Sequence, residues 1–533
     1  MKRLALLVYL LLAVAIFSST WVDPAGSWIG SPKDPQLFIW YLGWIPRELS
    51  LGHNPLFTDH LSYPDGVNLM WNTSMILPAL VLWPVTAMLG PVVAYNVLIT
   101  AGIALSAWFG FLAAQRFIDR PLPCFAAGLV YGFSTALLAQ SLGHPHVMVA
   151  LFPPIALILG HEILVRRRMH PVAAGALAGA AAAAQLLTGE ELLAMTLLIA
   201  AIGAALLWPW RPYFAEATGA ALAVFVVLAA YPLWFQFFGP QRASGSLQPP
   251  DVYVSDLLAF ALPSNFIHFT GNRTESDAYV GLPLLLLFVT GLVIGWKRPA
   301  IRWLGLMTLI VAVLSLGPHL HVNGNVTPIP LPWGAVEHLP LFESALPSRL
   351  MAIAFLGIGI VAGTSLQTQR IWTTITLVVG LAIVTMPWLP YPAQPAAAPA
   401  FFRPGGGVER IAPGSVVLVT PFSSKVSTDA MYWQAAANYR FRMPEGDAFT
   451  PGPYLGPHPS IMESILDDLD AGQRVTVTPE VLDLFRADID AHGITTIVAG
   501  PSKGQAAILE FLTQIVGSPP ADDGGVKVWW QLH

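Results

Sequence analysis

Near-continuous apolar runs of close to 20 residues recur from the N-terminus to residue 389, and a run of that length spans a bilayer core. They fall near residues 4–20, 73–90, 91–116, 124–141, 146–165, 171–188, 190–208, 216–236, 279–296, 301–317, 350–366 and 371–389. Only 11% of the residues are charged, against roughly 25% in soluble globular domains. With 55% hydrophobic residues and a mean hydropathy of +0.61, most of the chain cannot face water. The expected fold is an α-helical polytopic membrane bundle of about 11 spans, followed by a small α/β domain. Net charge is −5 and no basic cluster exceeds Arg166-Arg167-Arg168, which argues against a nucleic-acid partner. The single cysteine, Cys124, reads as a small buried apolar residue.

Residues 4–17, LALLVYLLLAVAIF, follow Lys2 and Arg3 and resemble a secretory signal. No small-x-small cleavage site follows, so the segment reads as a retained first span with its N-terminus inside. Arg116, Arg120, Arg166 to Arg168, Arg211, Lys297, Arg298, Arg302 and Arg370 mark the cytoplasmic connections. The intervening loops then lie outside: His144-Pro145-His146, Gly189-Glu190-Glu191, residues 237–278 and residues 318–348. Parity requires one run not to cross, and 73–90 is the candidate, as a re-entrant or interfacial helix.

Residues 1–390 therefore form the membrane module, with a large first outer loop at 21–72. The stretch 391–407 is a Pro/Ala/Gly linker. Residues 408–533 read as a small extracytoplasmic domain. Strands are expected at 416–419, 494–499 and 526–530, with helices at 460–470, 479–490 and 504–516.

Five groups of residues can carry chemistry. Asp34 precedes Pro35, which suits a helix start with Asp34 as its cap. Leu37, Trp40, Tyr41 and Trp44 then share one face, expected to lie along the membrane surface. A capping carboxylate is well oriented to take a proton from an acceptor hydroxyl. Asp59 and His60, with His53, are polar groups in a turn-rich loop, and their spacing matches no compact metal motif. His144 and His146, and Glu190 and Glu191, interrupt apolar runs, where ionisable groups are functional candidates by default. The loop 263–283 offers Asn265, His268, Asn272, Arg273, Glu275 and Asp277. Arg273 falls outside by the assigned topology and suits a phosphate. Arg349 opens a span from the outer side and can either snorkel to the interface or grip an anionic lipid head.

Three of these patterns resemble the GT-C superfamily of membrane glycosyltransferases: the early acidic residue of a large first outer loop, here Asp34; LGHPHVMVALFPPIAL at 142–157; and LSLGPHLHVNGNVTPIPLPWGAVEHLPLFESALPSRLMAIAFLGIGIVAG at 314–363. The last run, with the loop ending in DAYVGLPLLLL, looks like YfhO-like members. The resemblance implies an inverting transfer at the outer face from a polyprenyl-phosphate sugar to a glycan or glycolipid acceptor. It implies Asp34 as base, although the paired acidic motif common in the family is replaced by Asp34-Pro35. Arg349, Arg273, Glu190, Glu191, His144, His146, Asp59 and His60 are the candidate substrate contacts. No metal site or cofactor is expected. Two other readings stay open: a transporter or flippase for a lipid-linked substrate, and a non-catalytic membrane assembly protein.

Overall fold

Helix Met351–Leu366 is apolar all round, and every side chain on it is buried. A helix without a polar face has no stable place except inside other protein. In this computed structural model it packs against helices Pro121–Gly132, Leu282–Gly295 and Pro299–Ser315. Small residues permit the close approach: a Cβ built at Gly291 would meet the Val361 carbonyl. Helices Pro171–Leu186 and Pro212–Phe238 meet in the same way, with the Ala217 and Ala221 carbonyls against Gly175 and Gly179.

The structure describes all residues except 208–211, 243–250, 340, 371–372, 375, 378–379, 381–388, 425, 452–459 and 533. Arg211 and most of the run 371–389 therefore lie outside the described residues. Among those described, six helices are long and apolar enough to cross a membrane: Pro91–Ala114, Pro121–Gln140, Pro145–Arg166, Glu190–Leu207, Pro212–Phe238 and Pro347–Leu366. Pro171–Leu186, Leu282–Gly295 and Pro299–Ser315 are apolar but shorter. Residues 73–90 form two helices, Ile76–Val81 and Trp83–Leu89, of 6 and 7 residues. At about 1.5 Å per residue neither can span a bilayer.

The chain divides into two compact units. The first comprises residues 1–23, 96–231 and 246–393, and the second residues 24–95, 232–245 and 394–533. The first outer loop and the tail thus fold together.

In the second unit, helix Asp34–Ser50 packs on helix Asp429–Ala436. The stripe of Trp40, Tyr41 and Trp44, expected on a membrane surface, is buried here instead. Its polar edges find protein partners: Trp40 Nε1 donates to Gln434 Oε1 at 2.7 Å, and Tyr439 Oη to the Trp40 carbonyl at 2.7 Å. Phe401 and Phe402, inside the Pro/Ala/Gly stretch, are buried too, with Phe402 stacked on Trp433 at 5.3 Å.

The tail sheet has four strands in the order Val416–Thr420, Ile494–Ala499, Val526–Trp530, Ala521–Asp523. The first pair is parallel, joined by helices Ile461–Asp470 and Pro479–His492. The last pair is a hairpin closed by Gly524 and Gly525, both at positive φ, which a two-residue hairpin turn requires.

Candidate functional site

The first unit gathers five charged or imidazole side chains from four segments. Arg349 sits in the 3-10 turn Pro347–Leu350 that leads into helix Met351–Leu366. Glu191 lies in the first turn of helix Glu190–Leu207, where the helix dipole favours a carboxylate. His144 and His146 flank the start of Pro145–Met148. Glu275 stands in the four-residue helix Arg273–Ser276, whose Asn272 cap accepts from the Glu275 amide at 2.8 Å.

Arg349 is the hub. Its Nε and Nη2 reach the Glu275 carboxylate at 3.0 and 2.7 Å, a two-pronged pair. Its Nη1 donates to Glu191 and lies 3.5 Å from His146 Nε2. The other Glu191 oxygen accepts from the Leu346 amide at 2.7 Å. Glu275 also holds His144 Nδ1 at 3.0 Å and Gln140 Nε2 at 3.1 Å. Gly189 admits this packing, since a Cβ there would come within 2.8 Å of the His146 carbonyl.

The Glu275 side chain is 4% exposed and that of Arg349 10%. Burial pushes the Glu275 carboxyl up, but Arg349 and His144 outweigh it and hold it well below the usual carboxylate range. One guanidinium therefore faces two carboxylates, so an anion has little to gain here. Three buried polar atoms belong to cluster residues or their sequence neighbours: Gln140 Oε1, Ser276 Oγ and Ser348 Oγ. None makes a hydrogen bond among the described residues. An unpaired buried polar group costs about 1–3 kcal/mol. The arrangement therefore suits a neutral ligand rich in hydroxyls, with carboxylates and amide oxygens accepting and the Ser hydroxyls able to do either.

Of the remaining candidates in this unit, Arg273 is exposed, and Glu190 is half-buried beside Glu191. The sequence offers Glu275 only as one of several polar residues of the loop 263–283, with no role of its own, and does not single out Gln140. The Asn272-x-x-Glu275 spacing of a helix cap was the signal available for Glu275.

Asp34, Asp59 and His60 lie in the second unit. Asp34 is the first residue of its helix rather than the residue before it, and is half-buried. Lys33 precedes it at φ 81°, ψ −88°. That conformation is strained for a residue with a Cβ, and such strain gathers at functional sites. Thr428 Oγ1 and the Gln36 amide hold it by donating to the Lys33 carbonyl at 2.7 and 2.9 Å. Asp59 pairs with Arg442 at 2.8 Å and with His60 at 3.2 Å. The His60 ring packs 5.0 Å from that of Trp44, and burial pushes its pKa down. These contacts tie the loop into the unit. Among the described residues no group of three or more His, Cys, Asp or Glu side chains could hold a metal ion.

A family model described as a domain of unknown function, DUF6311, matches residues 6–386. No curated protein matches the chain by sequence. The arabinofuranosyltransferase AftD from Mycobacteria superposes with a TM-score of 0.59 at 16% identity, over 99% of this chain. This chain spans only 40% of the length of that one. ArnT from Cupriavidus metallidurans, in the apo state, gives a TM-score of 0.50 at 13% identity, over 98% of this chain and 97% of its own. The fold is that of the GT-C glycosyltransferases.

Proposed function

The chain belongs to the DUF6311 family, and from its GT-C fold we propose that it is a membrane glycosyltransferase using a polyprenyl-phosphate sugar. The acceptor is a glycan or glycolipid hydroxyl of the cell envelope, met on the outer face, and the tail domain stands on that side. The observation that carries this reading is the Arg349 cluster: largely buried, charge-saturated, and associated with three hydrogen-bonding atoms that lack partners among the described residues. Within an apolar bundle such a group needs a functional reason. A sugar ring supplies the hydroxyls that would satisfy it.

In the reaction the acceptor oxygen forms a bond to the anomeric carbon as the bond from that carbon to the phosphate oxygen breaks. The phosphate leaves with the electron pair. Because it is already an anion, it needs little acid help. The acceptor proton needs a base, and Asp34 is assigned that role. In the first unit, Glu191, Glu275, His144 and His146 are assigned to sugar hydroxyls, with Arg349 orienting both carboxylates. Exposed Arg273 is assigned to the donor's headgroup, where a cation on a flexible stem can follow the phosphate, and half-buried Glu190 to a substrate hydroxyl.

The test is sugar transfer by the full-length protein in liposomes containing synthetic polyprenyl-phosphate sugars, read as release of the polyprenyl phosphate. Asp34→Asn should lower the rate by about 10²–10⁴ while membrane insertion and melting stay unchanged. Full activity in that variant removes Asp34 as base. No release from any polyprenyl-phosphate pentose or hexose would overturn the function itself.

A further inference from the structure

A second site opens on the first unit, built from elements outside the Arg349 cluster. It is a groove of about 870 Å³ between the start of helix Lys2–Ile16, the end of Pro91–Ala114, helix Phe152–His161 and helix Pro171–Leu186. Its walls are apolar, including Phe109, Leu112, Ile155, Ile158 and Leu177. Its polar lining is basic: Lys2, Arg116 and Arg166, with Gln115 and His161. We propose that this groove binds an anionic glycerophospholipid, its phosphate on the basic residues and its acyl chains along the apolar walls.

Charge selects the head. Among the described residues neither Lys2 nor Arg116 has a carboxylate within ion-pair distance. Arg166 lies 3.9 Å from Glu162, the far limit of a pair. That carboxylate is buried and already accepts from the Arg168 and Met169 amides at 2.6 and 3.0 Å. Lining the same groove, His161 Nδ1 is buried and makes no hydrogen bond among the described residues. Three cations thus line the groove, and the one carboxylate paired with any of them among the described residues is mostly engaged elsewhere.

Shape selects the tail. Free phosphate would satisfy the cations and leave the apolar walls bare. A neutral lipid would cover the walls and leave the cations unanswered. An anionic phospholipid does both, and the volume lies within the usual range of ligand sites, about 300–1,000 Å³. Lys2, Arg116 and Arg166 belong to the connections that the Lys/Arg bias assigns to the cytoplasm. That leaflet carries the negative surface potential which draws such clusters.

The test is a native mass-spectrometry titration of the full-length protein in detergent. The ligands are phosphatidylglycerol, phosphatidylcholine with the same chains, and inorganic phosphate. Phosphatidylglycerol should bind at least about tenfold tighter than phosphatidylcholine. Arg116→Gln with Arg166→Gln should weaken it roughly 30-fold, about one power of five to six per charge, and leave phosphatidylcholine unaffected. Ala180→Phe, which fills the apolar part of the groove, should weaken both lipids. If the double variant does not insert, Lys2→Gln with Arg116→Gln replaces it, since Lys2 is exposed. Equal binding of the two lipids overturns the proposal, as does displacement of phosphatidylglycerol by equimolar inorganic phosphate. So does unchanged affinity in a folded charge variant.

Discussion

The Arg349 cluster and the core around Trp40 are buried by opposite means. In the first, a guanidinium is matched by two carboxylates and framed by two imidazoles. In the second, Trp40 stacks on Trp44 at 5.0 Å, and Tyr439 meets both rings edge-on at 5.3 and 5.4 Å. Ring burial is favourable in itself, so the second core needs no other reason to exist. Burying three charges is unfavourable unless every partner is present, and well-packed apolar residues of the same volume often hold a fold as well or better. The contrast separates packing from function. The contacts of Asp59 with Arg442 and His60 resemble the packing kind, whereas Arg349, Glu191 and Glu275 form the charged kind to which the proposed reading gives a function.

The contrast breaks most visibly if Arg349 is removed alone. Arg349→Met leaves the buried Glu275 carboxylate and the half-buried Glu191 carboxylate without their shared counter-charge, and should lower stability by about 3–5 kcal/mol. Adding Glu275→Gln and Glu191→Gln should recover much of that loss, because neutral amides need no counter-charge. Melting in detergent, together with polyprenyl phosphate release, checks both points. Recovery of stability without recovery of transfer marks the cluster as functional. Recovery of both would make it a replaceable structural device.

Much of this division was legible in the sequence, and its limits are physical. Pro35 marked the start of helix Asp34–Ser50, and the spacing of Trp40, Tyr41 and Trp44 marked its buried stripe. What the stripe faces was not legible, because lipid and protein interior are equally apolar. Only the distant partners Gln434 and Tyr439 decide it, across 394 and 399 positions. The tail's expected strands at 416–419, 494–499 and 526–530 all form, since each is a short β-branched run bounded by turns. Strand Ala521–Asp523 is polar and was missed, although Gly524-Gly525 after it is a hairpin signal. Glu191 stood out because it interrupts an apolar run, and Arg349 because it opens one. Glu275 lay among other polar residues of a loop, and its burial comes from partners 74 and 135 positions away.

A smaller effect sharpens the packing side. Trp40→Phe keeps most of the ring area but removes the donor to Gln434 Oε1. Gln434 is fully buried and its amide nitrogen already serves the His60 and Phe441 carbonyls at 2.9 Å each. An orphaned acceptor should cost about 1–3 kcal/mol. Trp40→Phe with Gln434→Leu should be milder than the sum of the two single changes. A strictly additive double-mutant cycle would show that the bond contributes nothing beyond packing.

The smallest expected effect is a pair of opposite pH slopes. Glu445, in the second unit, is pushed up to about 8 by burial and by Glu463, against a hydrogen bond from Ser460. Its folded form holds a proton more tightly than the unfolded chain, whose value is near 4.5. That stability is complete below about pH 4.5 and is lost as pH rises through 8. Asp467, pushed up to about 6 by burial, adds a slope of the same sign over a lower window. Glu275, in the first unit, is held down, so its contribution is present above about pH 4.5 and is lost only on acidification. Hydrogen-exchange protection, corrected for intrinsic rates, should therefore fall with rising pH in helix Ile461–Asp470 and not in residues 273–280. Glu445→Gln should flatten the slope in that helix and leave the Arg349 cluster untouched. A slope that survives the substitution would place its origin in Asp467, and Asp467→Asn then becomes the variant that must remove it.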